Sequence, residues 1–124
     1  DGDNHGDPTD SKCLCVPDAI GRYVAETKKD CCDSDANARP GQTVHFTNAN
    51  ECGSFDYNCN GSEEKELNNS GYCNCGGIIC TTCVNETGWS GAAPACGVKG
   101  NWIDACNWDW GCDAVLKQVT QSCR

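Results

Sequence analysis

The sequence is short of the residues that build large cores and of those that bind anionic partners. It has no methionine and two phenylalanines, and its hydrophobic fraction of 38% includes the cysteines. No stretch approaches the roughly 18 apolar residues that a membrane-spanning helix needs. The net charge is −9 and lysine and arginine form no run, which disfavours nucleic acid and anionic membranes as partners. From these absences we expect a small acidic chain that inserts into no membrane.

Cysteine is the residue that the sequence has in excess, with 14 among 124 residues. That share in a short chain is typical of a disulfide scaffold, and the even count allows every thiol to be paired. Cys31 and Cys32 are adjacent, so we expect them to bond to two different partners at the end of a helix. The predicted disulfide cysteines are Cys13, Cys15, Cys31, Cys32, Cys52, Cys59, Cys73, Cys75, Cys80, Cys83, Cys96, Cys106, Cys112 and Cys123.

The densest cysteine cluster is "SGYCNCGGIICTTC", residues 70–83, which has the spacing of a thiolate metal site. In a reducing compartment zinc would be the better interpretation, and Cys80-Thr-Thr-Cys83 also has the spacing of a redox motif. The remaining cysteines indicate an oxidising compartment instead, where disulfides form. We therefore predict disulfides here, with no metal ion and no other cofactor.

Three glycosylation sequons point to the same compartment. They begin at Asn60, Asn68 and Asn85, none has proline in the middle, and all lie in polar segments. The chain starts at Asp1 without methionine or a hydrophobic leader, which fits a mature form after removal of a signal peptide. We expect a secreted, extracellular glycoprotein with sugars on exposed loops.

Two segments have the apolar spacing of an amphipathic helix, 17–32 and 112–123. Each places five apolar, threonine or cysteine residues on one helix face. These are Ile20, Tyr23, Val24, Thr27 and Cys31 in the first, and Cys112, Val115, Leu116, Val119 and Cys123 in the second. The pattern predicts an α+β fold, a small disulfide-rich single domain with two short helices, a few short strands and much loop.

The remaining segments predict strands, loops and a tail. Residues 41–47 alternate polar and apolar side chains, and residues 76–84 are rich in β-branched side chains, so both are predicted strands. Residues 33–41 and 60–71 have loop composition. Residues 1–12 are acidic and polar with no residue to pack, so we expect a flexible N-terminal tail before a domain that spans 13–124.

Catalytic motifs are weak in this chain, so we predict that it is not an enzyme. Its two histidines, His5 and His45, lie near no recognisable nucleophile motif. The residues directly after Cys31-Cys32 are "DSDANA", without the histidine that follows the adjacent cysteines in secreted phospholipases. Acidic residues are plentiful, but their abundance does not identify a pair for glycoside cleavage.

The stretch "GNWIDACNWDWGC", residues 100–112, contains the candidate binding residues. They are Trp102, Trp108, Trp110, Asn107 and Asp109. Aromatic faces beside amide and carboxylate groups stack on sugar rings, and tryptophan also anchors protein interfaces. The alternative is that one or two of these tryptophans fill a core that lacks other large apolar residues.

The order of the cysteine segments resembles that of small secreted cysteine-rich proteins of filamentous fungi, many of them effector-like. The matching segments are "CLCVPDAIGRYVAETKKDCC", then Gly41, Cys52, "FDYNC" and "GYCNC", all within residues 13–75. The resemblance implies a stable apoplastic protein that acts by binding a host protein or receptor, without a cofactor. The resemblance assigns a binding or catalytic role to no particular residue of this chain.

The sequence therefore favours a secreted, glycosylated, disulfide-stabilised binding protein of the fungal effector type. Two other functions remain open. One is a carbohydrate-binding module that holds chitin or another glycan with Trp102, Trp108 and Trp110. The other is a structural component of an extracellular coat or filament.

Overall fold

The computed structural model describes residues 5–6, 27–28, 30–76, 82–108 and 111–124. The chain divides into two compact units. The first unit is Asp1–Glu64 with Cys123–Arg124, and the second unit is Lys65–Ser122. Of the predicted tail, residues 1–12, the structure describes only His5–Gly6, which pairs in parallel with Thr27–Lys28.

All regular elements in the described residues are strands, so the predicted α+β class is wrong for this part of the chain. The strands are β1 (His5–Gly6), β2 (Thr27–Lys28), β3 (Tyr72–Gly76), β4 (Thr82–Glu86), β5 (Gly88–Trp89), β6 (Lys99–Trp108) and β7 (Cys112–Thr120). The predicted helix at 112–123 is replaced by β7. Most of the first predicted helix lies outside the described residues, while Thr27–Lys28 within it is a strand. No helix in the described ranges has the length and apolar character needed to cross a membrane.

The second unit contains an antiparallel sheet with the order β5-β6-β7. Strands β6 and β7 form its long hairpin, from Lys99 opposite Thr120 to Trp108 opposite Cys112. The register shifts between Ile103 and Ala105, where Asp104 is an extra residue on β6. A bulge of this kind reverses the face to which all later side chains of the bulged strand point.

A second hairpin, β3–β4, is linked covalently to β6–β7. Disulfides join Cys73 to Cys106 and Cys83 to Cys112. Cys75 lies opposite Cys83 in the hairpin and is also disulfide-bonded. Since these cysteines share one face of the hairpin, that face is the one turned toward β6–β7.

Trp89 on β5 is the centre of the second unit and is 1% exposed. Its ring meets that of Trp102 edge to face, with centroids 5.3 Å apart. The indole Nε1 donates a hydrogen bond to the Leu67 carbonyl at 2.9 Å. The Trp89 backbone is bonded on its outer side to Asn69 and Gly71, which covers the β5 edge of the sheet.

The first unit is mostly turns around a small core of Cys32, Ala38 and Tyr57. Phe46 stacks on Tyr57 with ring centroids 4.0 Å apart. The Tyr57 hydroxyl donates to the Asn48 carbonyl at 3.1 Å, which satisfies the polar end of the ring.

Side chains and disulfides replace regular structure in this first unit. The buried Asn50 accepts hydrogen bonds from the Cys52 and Ser54 backbone through its Oδ1 atom, which fixes the turn 50–54. Cys31 bonds to Cys59 and Cys32 to Cys52. The prediction that adjacent cysteines take different partners is confirmed, but Cys31 and Cys32 end no helix, because residues 30–32 are not helical.

The strand predictions are partly wrong. Residues 41–47 form no strand, although Phe46 exchanges two backbone hydrogen bonds with Cys123. Residues 76–84 are not one strand, because Gly76 ends β3 and Thr82 begins β4, opposite each other; residues 77–81 lie outside the described part. Residues 33–41 and 60–71 are turns and irregular segments, as predicted.

Candidate functional site

The cysteine cluster at 73–83 holds disulfides where the structure describes it. Cys73, Cys75 and Cys83 are all disulfide-bonded, and Cys80 lies outside the described residues. The cysteines of the described segments are bonded without exception, Cys96 and Cys123 included. Since zinc binds thiolates and a disulfide has none, these described cysteines are not ligands. So many disulfides are typical of extracellular proteins.

One other group has the geometry of a metal site but not its chemistry. Ligand atoms of Asp30, Cys31 and Cys59 lie within 4.8 Å of one another. However, Cys31 and Cys59 form a disulfide, so the two sulfur atoms carry no thiolate charge. The three residues lie close together because the disulfide lies beside the buried Asp30, and they offer no thiolate to a metal ion.

Polar side chains cluster at the C-terminal residue of the chain, where they stabilise loops. The Glu64 carboxylate accepts hydrogen bonds from Arg124, Asn60 and Asn58, which lower its pKa below the ordinary 4.5. Glu64 and Arg124 also exchange two backbone hydrogen bonds. A carboxylate that several donors keep ionised holds no proton to donate, so Glu64 acts as one partner of a structural ion pair and not as a general acid. Nothing in the described part of the chain points to an enzyme.

The candidate binding residues on β6 do not form one surface. Trp102 is half-buried beside Trp89, whereas Trp108 is 59% exposed. Asn107 is exposed, and Asp109 and Trp110 lie outside the described residues. Two of the three predicted tryptophans are therefore described, and they have different environments.

The bulge at Asp104 explains why the two tryptophans separate. Trp102 and Trp108 are six residues apart, which in a regular strand places both side chains on one face. Because of the extra residue, Trp102 lies opposite Lys117 whereas Trp108 lies opposite Cys112. On β7 these two partners are an odd number apart and so point to opposite faces. Trp108 therefore shares the face of the Cys83–Cys112 disulfide.

Asn107 lies on the other face from Trp108, opposite Asp113. It shares the face of Trp102, since Asp113 and Lys117 are four residues apart on β7. The described residues therefore do not combine the Trp108 indole with the Asn107 amide. Trp89 was not among the predicted binding residues, and at 1% exposure it is the most buried of the described tryptophans. Its signal is the shortage of other large apolar residues near it in the sequence.

The three sequon asparagines, Asn60, Asn68 and Asn85, are all exposed. Asn60 lies in a turn where its Oδ1 accepts the Ser62 N–H, and Asn85 lies on β4. Their side chains are thus on the surface, as an acceptor for a glycan requires.

The chain was compared with known proteins at the level of family, sequence and structure. No family model matches it, and no curated protein and no solved structure is significantly similar to it. The class that the fold and chemistry define is a small, disulfide-stabilised, strand-containing protein.

Proposed function

We propose that this chain is a secreted, effector-like binding protein that contacts a host protein through the surface around Trp108. The observation that carries the proposal is the 59% exposure of this large apolar side chain on a strand that disulfides hold in place. Exposing an indole to water is unfavourable, and tryptophan is enriched among the residues that dominate protein interfaces.

The rigidity of the surroundings supports this proposal. Trp108 lies opposite Cys112, whose disulfide to Cys83 links β7 to the β3–β4 hairpin. Two residues before Trp108, Cys106 is bonded to Cys73. A backbone that disulfides already hold in place loses little conformational freedom on binding, which favours affinity. The net charge of −9 further favours a partner with a basic surface.

The test compares Trp108→Ala with Val98→Ala in capture experiments on host extracellular proteins. Val98 is the matched control, because it is another exposed apolar side chain of the second unit. Loss of a central tryptophan typically costs about 2 kcal/mol or more, or about thirtyfold in affinity. We expect at least one protein that the wild type and Val98→Ala retain and Trp108→Ala does not. If all three capture the same proteins equally, the proposed surface is wrong.

The carbohydrate-binding alternative shares the exposed indole, which can stack on a sugar ring. It is less well supported, because Asn107 lies on the opposite face from Trp108. A glycan array and a chitin pull-down with the same two variants separate the alternatives. Glycan binding that Trp108→Ala abolishes would favour the carbohydrate-binding function over the protein-binding one.

A further inference from the structure

We propose that two copies of this chain associate through the free edge of β7, in an antiparallel pair with Val115 on the two-fold axis. In the described residues β7 has a strand neighbour on one side, β6, and it is the last strand of its sheet. The opposite edge of the sheet, at β5, is covered by Asn69 and Gly71. Residues 113–118 of β7 are all exposed.

The hydrogen bonds at the ends of the sheet show which β7 residues face outward. Gln121 donates its N–H to Val98 and accepts from the N–H of Gly97, so its backbone points toward the β6 side. Successive residues of a strand point their backbone groups to opposite sides, so every second residue points to the same side. Lys117 and Val115 therefore also bond toward β6.

The other side of β6 gives the same assignment. Asn101 accepts a hydrogen bond from Ser90, on the β5 side, so its neighbour Trp102 points toward β7 and Lys117. The outward backbone groups of β7 are consequently those of the even-numbered residues. Within the part of the chain that the structure describes, the N–H and C=O groups of Ala114 and Leu116 are thus unpaired along the edge, which is the template that another strand needs.

The charges on β7 select one register and one partner, a second copy. With Val115 on the axis, Asp113 of each copy lies opposite Lys117 of the other, which forms two ion pairs. Shifting the centre by one residue either way pairs both charges with Val115, Val119 or Gly111 instead. Only the Val115 register also brings outward backbone groups opposite each other while satisfying both charges.

The side chains on both faces fit this register. On one face, Val115 meets its own copy between the two ion pairs. On the other face, Leu116 lies opposite Ala114, a large side chain against a small one. Val115 and Leu116 are 39% and 48% exposed in the single chain, so pairing would cover apolar surface now in water. The arrangement is isologous and closes at two copies, so it builds a dimer and not a filament.

Lys117 already forms an ion pair with Asp104 of its own chain, and both side chains are about half exposed. Association would place its ammonium group between Asp104 and the Asp113 carboxylate of the second copy. Asp113 has no such ion pair in the described residues, so the cleanest substitution is at Asp113.

The experiment is sedimentation of the full chain, with disulfides intact, over a series from micromolar to millimolar concentration. A buffer of about 0.15 M salt screens the repulsion between acidic copies beyond about 8 Å but leaves contact pairs. We expect the mean mass to rise from one chain toward two. Asp113→Lys turns two ion pairs into two like-charge pairs and should weaken association about tenfold or more.

Two further variants make the test specific. Glu86→Lys, on the exposed surface of β4, changes the net charge equally and should not weaken association. The double variant Asp113→Lys with Lys117→Asp restores both pairs in reverse and should recover association. Near-ultraviolet circular dichroism confirms that each variant is folded. A chain that remains a monomer throughout, or a double variant as weak as Asp113→Lys, would overturn the proposal.

Discussion

At the scale of single residues, Gly100 is a position of the second unit where a side chain does not fit. Gly100 lies beneath the buried Trp89 ring, and a Cβ atom there would lie 2.9 Å from Trp89 Cζ3 and 3.1 Å from Pro94 Cγ. Contacts this short require the indole to move, and the indole is held by its hydrogen bond to Leu67. The absence of a side chain at Gly100 thus makes the position of Trp89 possible.

We therefore expect Gly100→Ala to lower the free energy of unfolding by about 1–3 kcal/mol, the usual cost of overpacking. All four tryptophans lie between residues 65 and 122, so tryptophan fluorescence during denaturant unfolding reports on the second unit. Gly111→Ala is the control, because nothing lies within 4 Å of its added Cβ atom. It should change stability by about 0.5 kcal/mol or less. Equal effects of the two variants would contradict the packing around Trp89.

At the scale of elements, β7 should show an amide-exchange pattern that a helix could not have. In dilute protein the N–H groups of Val115 and Lys117 bond to β6, whereas those of Ala114, Leu116 and Gln118 face water. We expect amide hydrogen exchange measured by NMR to alternate between slow and fast along this strand.

Strand β6 is the internal control for that measurement. It lies between β5 and β7, so consecutive amides at Trp102, which pairs with β7, and Ile103, which pairs with β5, should both exchange slowly. An amphipathic helix at 112–123 would instead protect consecutive amides after its first turn. Uniform protection from Leu116 to Thr120 in dilute protein would therefore contradict the strand.

The segment 112–123 also shows where the sequence was ambiguous. The offsets of Val115, Leu116 and Val119 fit a helix face, but a strand exposed on both faces places the same residues without conflict. Pairing with β6 and the disulfide from Cys112 to Cys83 decide between the two, and neither is local. Long-range pairing commonly overrides local propensity of this size.

The candidate site could be predicted only in part, again because part of it depends on how the strands pair. Composition and cysteine count correctly indicated disulfides, since they depend on chemistry and not on register. The faces of Trp102 and Trp108 depend on a single extra residue, Asp104, opposite β7. No local feature of the sequence marks that bulge, so the separation of the two tryptophans required the structure.

At the scale of the whole molecule, cross-links replace a large core. In the described residues the buried apolar side chains are few, and some of them are cysteines in disulfides. They are Cys32, Ala38, Tyr57, Trp89, Ile103 and Cys123. Each disulfide typically contributes about 2–4 kcal/mol, largely by restricting the unfolded chain, so the fold depends on them more than on burial.

We expect the protein to be fully oxidised and to lose its fold on reduction. Denatured, unreduced protein should show almost no free thiol, since the described cysteines are bonded and the total of 14 is even. After reduction and alkylation, near-ultraviolet circular dichroism should be lost and proteolysis should become rapid, because so few apolar side chains are buried. Alkylation without reduction is the control and should change neither. Several free thiols in the unreduced protein would contradict full oxidation. A reduced chain that stays protease-resistant would show that the core and not the disulfides holds the fold.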